Sequence, residues 1–137
     1  RLFAESNTDL YTHDITRQVY EHLLRLAEQI ISSGYAVIVD ATFLDTSWRL
    51  AFQQLATKVQ TPFHILHTHA DTSVLEQRLL QRQTDSRNIS DADIQIMRRQ
   101  LESVQQITEA ERPYCVDINT GEKIDLTGLK NRLTGNK

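Results

Sequence analysis

An aspartate interrupts the apolar stretch "AVIVDATF" (36–43), and among the arginines that follow it along the chain are Arg78 and Arg82, spaced by four, and Arg87 inside the polar segment "RQTDSRNI" (82–89). A carboxylate at the tip of a buried strand can hold hydrated Mg²⁺, and guanidiniums on a neighbouring helix and loop can neutralise charge on a moving phosphoryl group. In an open α/β sheet, ligands collect beyond the carboxyl ends of the strands, which is where Asp40 would stand. The polar loop at about 82–92 would then close over a nucleotide as a lid. Each residue also has a plainer use. An Asp after a strand is a common turn or cap residue, arginines four apart often lie on a solvated helix face, and Glu76 could pair with one of them. Ser90 and Asp93 stand at capping-box spacing. The order along the chain, acid first and arginines after, is what favours chemistry.

The histidines invite a second reading. His64, His67 and His69 cluster, and on a strand His67 and His69 would share a face while His64 points the other way. No cysteine or second acid stands beside them at metal-ligand spacing, so zinc is not the expectation. Cys115, the one cysteine, reads as a small core residue, and no G-x-S-x-G nucleophile elbow is present.

Composition bounds the class. A chain of 137 residues is most simply one domain, able to bury ~68% of its unfolded surface in a single core. Its 15 basic and 18 acidic residues give a formal net charge of −3, which offers no attraction to duplex DNA or an anionic membrane. One cysteine excludes an internal disulfide, and no leader or long apolar run is seen, so a cytoplasmic location is the default. Arg1 opens the chain and Met97 is the only methionine, from which a fragment or a processed product is expected.

Helices and strands must position these groups. Apolar residues at Ile15, Val19, Leu23, Ala27 and Ile30, widened by Leu24 and Ile31, predict a long helix over 12–33, with Gly34 at its left-handed C-terminal cap. A strand at 36–39 follows, then a helix at 47–59 with Trp48, Ala51, Phe52, Leu55 and Ala56 facing inward. Pro62 ends that helix, and "FHILHTHA" (63–70) predicts a second strand. Helices carrying Leu75, Leu79 and Leu80, and then Ile94, Met97, Leu101 and Val104, lead to a third strand, "YCVDI" (114–118), and a short closing helix over 124–133. Strands separated by helices imply a parallel sheet with helices on its faces. The expected fold is therefore α/β, a partial parallel sheet of about three strands.

Together these segments resemble a known group. "ISSGYAVIVDATFLDTSWRLAFQQLA" (31–56), "LEQRLLQRQ" (75–83) and "SDADIQIMRRQLE" (90–102) are similar to the P-loop small-molecule kinases related to polynucleotide kinase, gluconate kinase and the zeta toxins. Most similar are the kinase domains fused behind an aminoglycoside-phosphotransferase-like domain. The resemblance implies a P-loop NTPase fold, with ATP and Mg²⁺ as cofactors and a small molecule or nucleic-acid end as acceptor. It makes Asp40 the metal-side carboxylate, acting through water, with Thr42 two residues on at a polar substrate-side position. It makes Arg49 an anchor of the strand tip or a substrate contact, and Arg78 and Arg82 the lid pair. Arg87 has no counterpart there and rests on position alone.

One departure is large. The group begins with a strand and G-x-x-x-x-G-K-[ST], and none of Gly34, Gly121, Gly128 or Gly135 begins or completes that pattern. The P-loop and the usual base aspartate are expected upstream of Arg1, leaving the rear portion of a kinase-like domain that by itself transfers no phosphoryl group. The competing expectations are a non-catalytic kinase-like module that dimerises through an exposed sheet edge, and a regulator that hydrolyses ATP slowly.

Overall fold

The computed structural model describes residues 2–85 and 91–135, with the side chains of 2–11, 82–85 and 91–93 left aside. The chain divides into two compact units, Arg1–Pro62 and Phe63–Lys137.

The first unit is a helical pair joined by an irregular segment. Helix α1 spans Leu2–Ser32 and α2 spans Thr46–Lys58. Two hydrogen bonds and one dihedral angle end α1: the Gly34 N–H reaches Ile31 O, the Tyr35 N–H reaches Ile30 O, and Gly34 takes φ +88°. This is a Schellman cap, and the missing Cβ of Gly34 makes its left-handed backbone inexpensive. At the end of α2 the same pattern recurs without glycine. Gln60 sits at φ +53° while the Thr61 N–H bonds to Ala56 O. The buried core is Tyr20 and Ala27 from α1 with Phe52, Leu55 and Ala56 from α2. Fully burying a leucine or phenylalanine contributes roughly 1.5–3 kcal/mol, so Phe52 and Leu55 anchor the pair. An exposed Lys58–Glu28 ion pair of 2.6 Å ties the helices at their far ends.

The stripe on α1 is rotated from the expected one. Ile15 and Val19 are exposed, while Tyr20 is buried. A larger correction concerns 36–39, where no strand forms. Residues 35–40 have no regular structure, and Ile38 is 87% exposed. A strand exists through its ladder, and no described strand supplies this segment with backbone partners.

The second unit holds a small parallel sheet flanked by helices. Strands β1 (Ile65–His69) and β2 (Cys115–Asn119) pair in the register Ile65 opposite Cys115 and His69 opposite Asn119. Two strands are observed among the described residues, not three. Between them run α3 (Thr72–Asp85) and α4 (Asp91–Ser103), joined by Arg98 Nη2 donating to Glu76 Oε1 at 2.6 Å. Helix α4 stops before Val104, and a short 3₁₀ turn at Arg112–Tyr114 leads into β2. Val116 is the buried centre of β2, and Tyr114 packs edge-on against Phe63 at 5.9 Å. The closing helix α5 (Leu126–Thr134) starts at Asp125, whose carboxylate accepts the Gly128 N–H at 3.0 Å. No described helix is long and apolar enough to cross a membrane.

Candidate functional site

Asp40 stands exposed in the irregular segment, with no hydrogen bond or ion pair to any described residue. What holds its surroundings lies three residues on. Phe43 takes φ +45°, a region that a bulky residue occupies only when its neighbours over-determine it. They do. The Tyr20 hydroxyl accepts the Phe43 N–H at 2.9 Å, and Arg49 Nη1 donates to the Phe43 carbonyl at 2.9 Å. The Phe43 ring packs edge-on against Tyr20 at 5.2 Å and against Phe52 at 5.3 Å. Tyr20 in turn stacks on Trp48, with ring centres 4.9 Å apart and planes 13° apart. Tyr20 and Arg49 are each only 5% exposed.

Thr42 lies beside this clamp, its hydroxyl 3.5 Å from that of Tyr20. Arg49 is committed within it, because Nη2 also donates to Thr46 Oγ1 at 3.0 Å. The structure therefore places the Arg49 guanidinium beneath the turn that follows Asp40. Asp40 and Thr42 offer hard oxygen donors on an exposed segment, one of them charged. That donor set suits a magnesium ion that keeps most of its water.

The arginines of the second unit are placed differently from one another. Arg78, on α3, directs Nη1 to Thr120 Oγ1 at 2.9 Å and Nη2 to the Thr120 carbonyl. Thr120 is itself fixed at the carboxyl ends of the strands, its N–H on His69 O at 2.7 Å and its hydroxyl on the same oxygen at 3.0 Å. Arg78 thus braces the end of the sheet. Glu76 does not pair with Arg78; it accepts instead from Arg98 on α4. Arg82 lies on α3, where only its backbone is described, and Arg87 and most of the expected lid fall outside the described residues.

Reading the sequence missed one cluster. Asp117 lies opposite His67 in the β ladder, and it accepts from His67 Nδ1 at 2.8 Å and from His69 Nε2 at 2.7 Å. The His69 and His67 rings hold the Asp117 carboxyl below the usual carboxylate range. Because both carboxylate oxygens are engaged, each ring must present N–H toward Asp117. No group of three or more His, Cys, Asp and Glu among the described residues is placed to hold a metal ion. His67, Asp117 and Cys115 also line a cleft of about 420 Å³ with Arg112 and Arg132.

Three curated proteins, one from Mycobacterium bovis and two from strains of Mycobacterium tuberculosis, are each 26% identical over 129 residues, and all three are described as uncharacterised. The match takes in 94% of this chain but 23% of each relative, so the chain spans about a quarter of their length. No solved structure matches. The profile of the AAA domain family matches residues 1–107, more than three quarters of the 137. That family consists of P-loop, nucleotide-binding proteins that in general use Mg²⁺, and its match covers both Asp40 and the α3 arginines. This chain belongs to the AAA domain family, a family of P-loop kinase-like domains.

Proposed function

We propose that the chain is part of an ATP-dependent kinase that transfers the γ-phosphoryl group to a small molecule or a nucleic-acid end. The observation that carries this reading is Asp40: an exposed carboxylate without a described partner, on a segment whose next turn is locked from both sides. A carboxylate held so but left unneutralised is suited to a hydrated cation. In this reading Asp40 holds Mg²⁺ through water and Thr42 faces the acceptor. The reading gives Arg82 and Arg87 the task of neutralising charge on the transferring phosphate. Arg78, in its observed place, steadies the carboxyl ends of the strands. Arg49 serves the substrate side indirectly, by fixing the turn.

The 137 residues contain no G-x-x-x-x-G-K-[ST], and in this reading the phosphate cradle is supplied from elsewhere in the parent protein. The chain alone is then expected to transfer nothing. The parent would be a multidomain protein, and a phosphotransferase-like domain ahead of this one fits the resemblance. The test is ATP consumption by the full-length protein and by the 137-residue chain, side by side. Turnover by the first and none by the second is expected, and turnover by the isolated chain would refute the division of labour.

A second reading has one observation in its favour. Each of the two strands has an edge with no described ladder partner, and such edges accept strands from other chains. A non-catalytic module that homodimerises through that edge would show a dimer in sedimentation and no response to ATP in the full-length protein.

A further inference from the structure

We infer that Tyr20 is a positioning residue for the Asp40 tip, acting through the backbone of Phe43, and that Trp48 reports its state. The inference rests on the proposed function and adds to it a group on a distant helix. Three observations carry it. The Tyr20 hydroxyl is the acceptor for the Phe43 N–H at 2.9 Å and lies 3.5 Å from Thr42 Oγ1, so one buried oxygen touches two successive residues next to Asp40. Phe43 is at φ +45°, which an aromatic residue does not hold unaided, and release of its N–H lets the segment relax toward ordinary backbone. Arg49 grips the carbonyl of the same residue, so the turn is fixed at both ends of one peptide-bonded residue.

The Tyr20 and Arg49 contacts at Phe43 set where the segment carrying Asp40 and Thr42 stands relative to α1 and α2. A carboxylate that must hold a hydrated ion and a hydroxyl that must face an acceptor need that placement fixed before the ligands arrive. Tyr20 supplies the constraint without touching either ligand. Its ring is stacked on Trp48, the only tryptophan in the chain, which makes the clamp visible by fluorescence.

Tyr20→Phe removes the hydroxyl and keeps the ring on Trp48. In the full-length protein, phosphate release from MgATP with no added acceptor is measured for wild type, Tyr20→Phe, Asp40→Asn and the double variant. Near-ultraviolet circular dichroism verifies the fold, and amide exchange at Phe43 verifies the loss of the hydrogen bond. Tyr20→Phe should lower kcat by about tenfold and change the KM for ATP by less than about twofold. On the Asp40→Asn background the same change should have almost no further effect, because Tyr20 acts through Asp40. Wild-type kcat in Tyr20→Phe, with Asp40→Asn impaired, overturns the inference and leaves the kinase reading standing. So does a full tenfold loss on both backgrounds, the mark of a merely structural role. An Asp40→Asn variant as active as wild type overturns the kinase reading and this inference with it.

Discussion

The Phe43 peptide N–H ends on the hydroxyl of Tyr20, 23 residues earlier in the chain and 2.9 Å away. That bond joins the middle of α1 to the segment that carries Asp40, and it gives a strained residue a reason to stay strained. Its partner on the other side is Arg49, which holds the carbonyl of the same residue.

Arg49→Met should therefore destabilise the first unit by about 2–3 kcal/mol, since a buried guanidinium loses its bonds to the Phe43 carbonyl and Thr46. Arg49→Lys should recover only part of this, because one ammonium does not reproduce the two-pronged contact. Urea denaturation followed by Trp48 fluorescence measures both. Wild-type stability in Arg49→Met would show that the turn does not need its anchor.

A stabilising change is expected close by. Gln60 is exposed, yet its backbone is left-handed at φ +53° at the end of α2. Gln60→Gly removes the Cβ strain and should raise stability by about 0.5–1 kcal/mol, even after the extra freedom glycine gains in the unfolded chain. The readout is the thermal midpoint. A lower midpoint would mean that the cap is not strained.

Asp117 gives the second unit a dependence on acid. Its carboxyl is held below its ordinary value of 3.8 by His69 and His67, so the unfolded state binds the proton more tightly than the folded one. The stabilisation is complete above pH 3.8 and is lost as pH falls from there through the lowered folded value. Asp117→Asn should flatten that part of the stability profile while leaving the shape above it to the remaining groups. A profile unchanged between pH 4 and 2 would contradict the geometry. The contribution is modest, because the carboxylate is 64% exposed.

Arg78 and Arg82 should part company in a mutational test. Arg78→Ala frees Thr120 and should speed amide exchange at the carboxyl ends of β1 and β2. Arg82→Ala should leave that exchange unchanged, and in the full-length protein it should slow phosphoryl transfer more than it weakens ATP binding. Equal exchange in both variants would remove the brace at Thr120 from the account.

Much of this was legible in the sequence, and the gaps have physical causes. Gly34 announced the end of α1 because a left-handed cap is a local event, and the inward face of α2 at Phe52, Leu55 and Ala56 followed from its period. The run at 36–39 has strand composition, but a strand is made by its neighbour, and composition does not reveal whether one is there. Tyr20 went unnoticed because its importance lies in residues 22–28 positions away. Asp117 meets His67 only through the β1–β2 register, 50 residues apart in sequence. Arg98 took Glu76 from another helix, which i,i+4 reasoning on α3 does not see. At the candidate site the residue types were readable, and what held them was not.

The most direct test of the central claim is the steady-state consumption of MgATP by the full-length protein, wild type against Asp40→Asn. If Asp40 holds the metal for phosphoryl transfer, kcat should fall by about a hundredfold or more while circular dichroism stays that of wild type. Equal turnover in the two proteins would remove Asp40 from the chemistry and, with it, the reading of this domain as the metal-bearing part of a kinase.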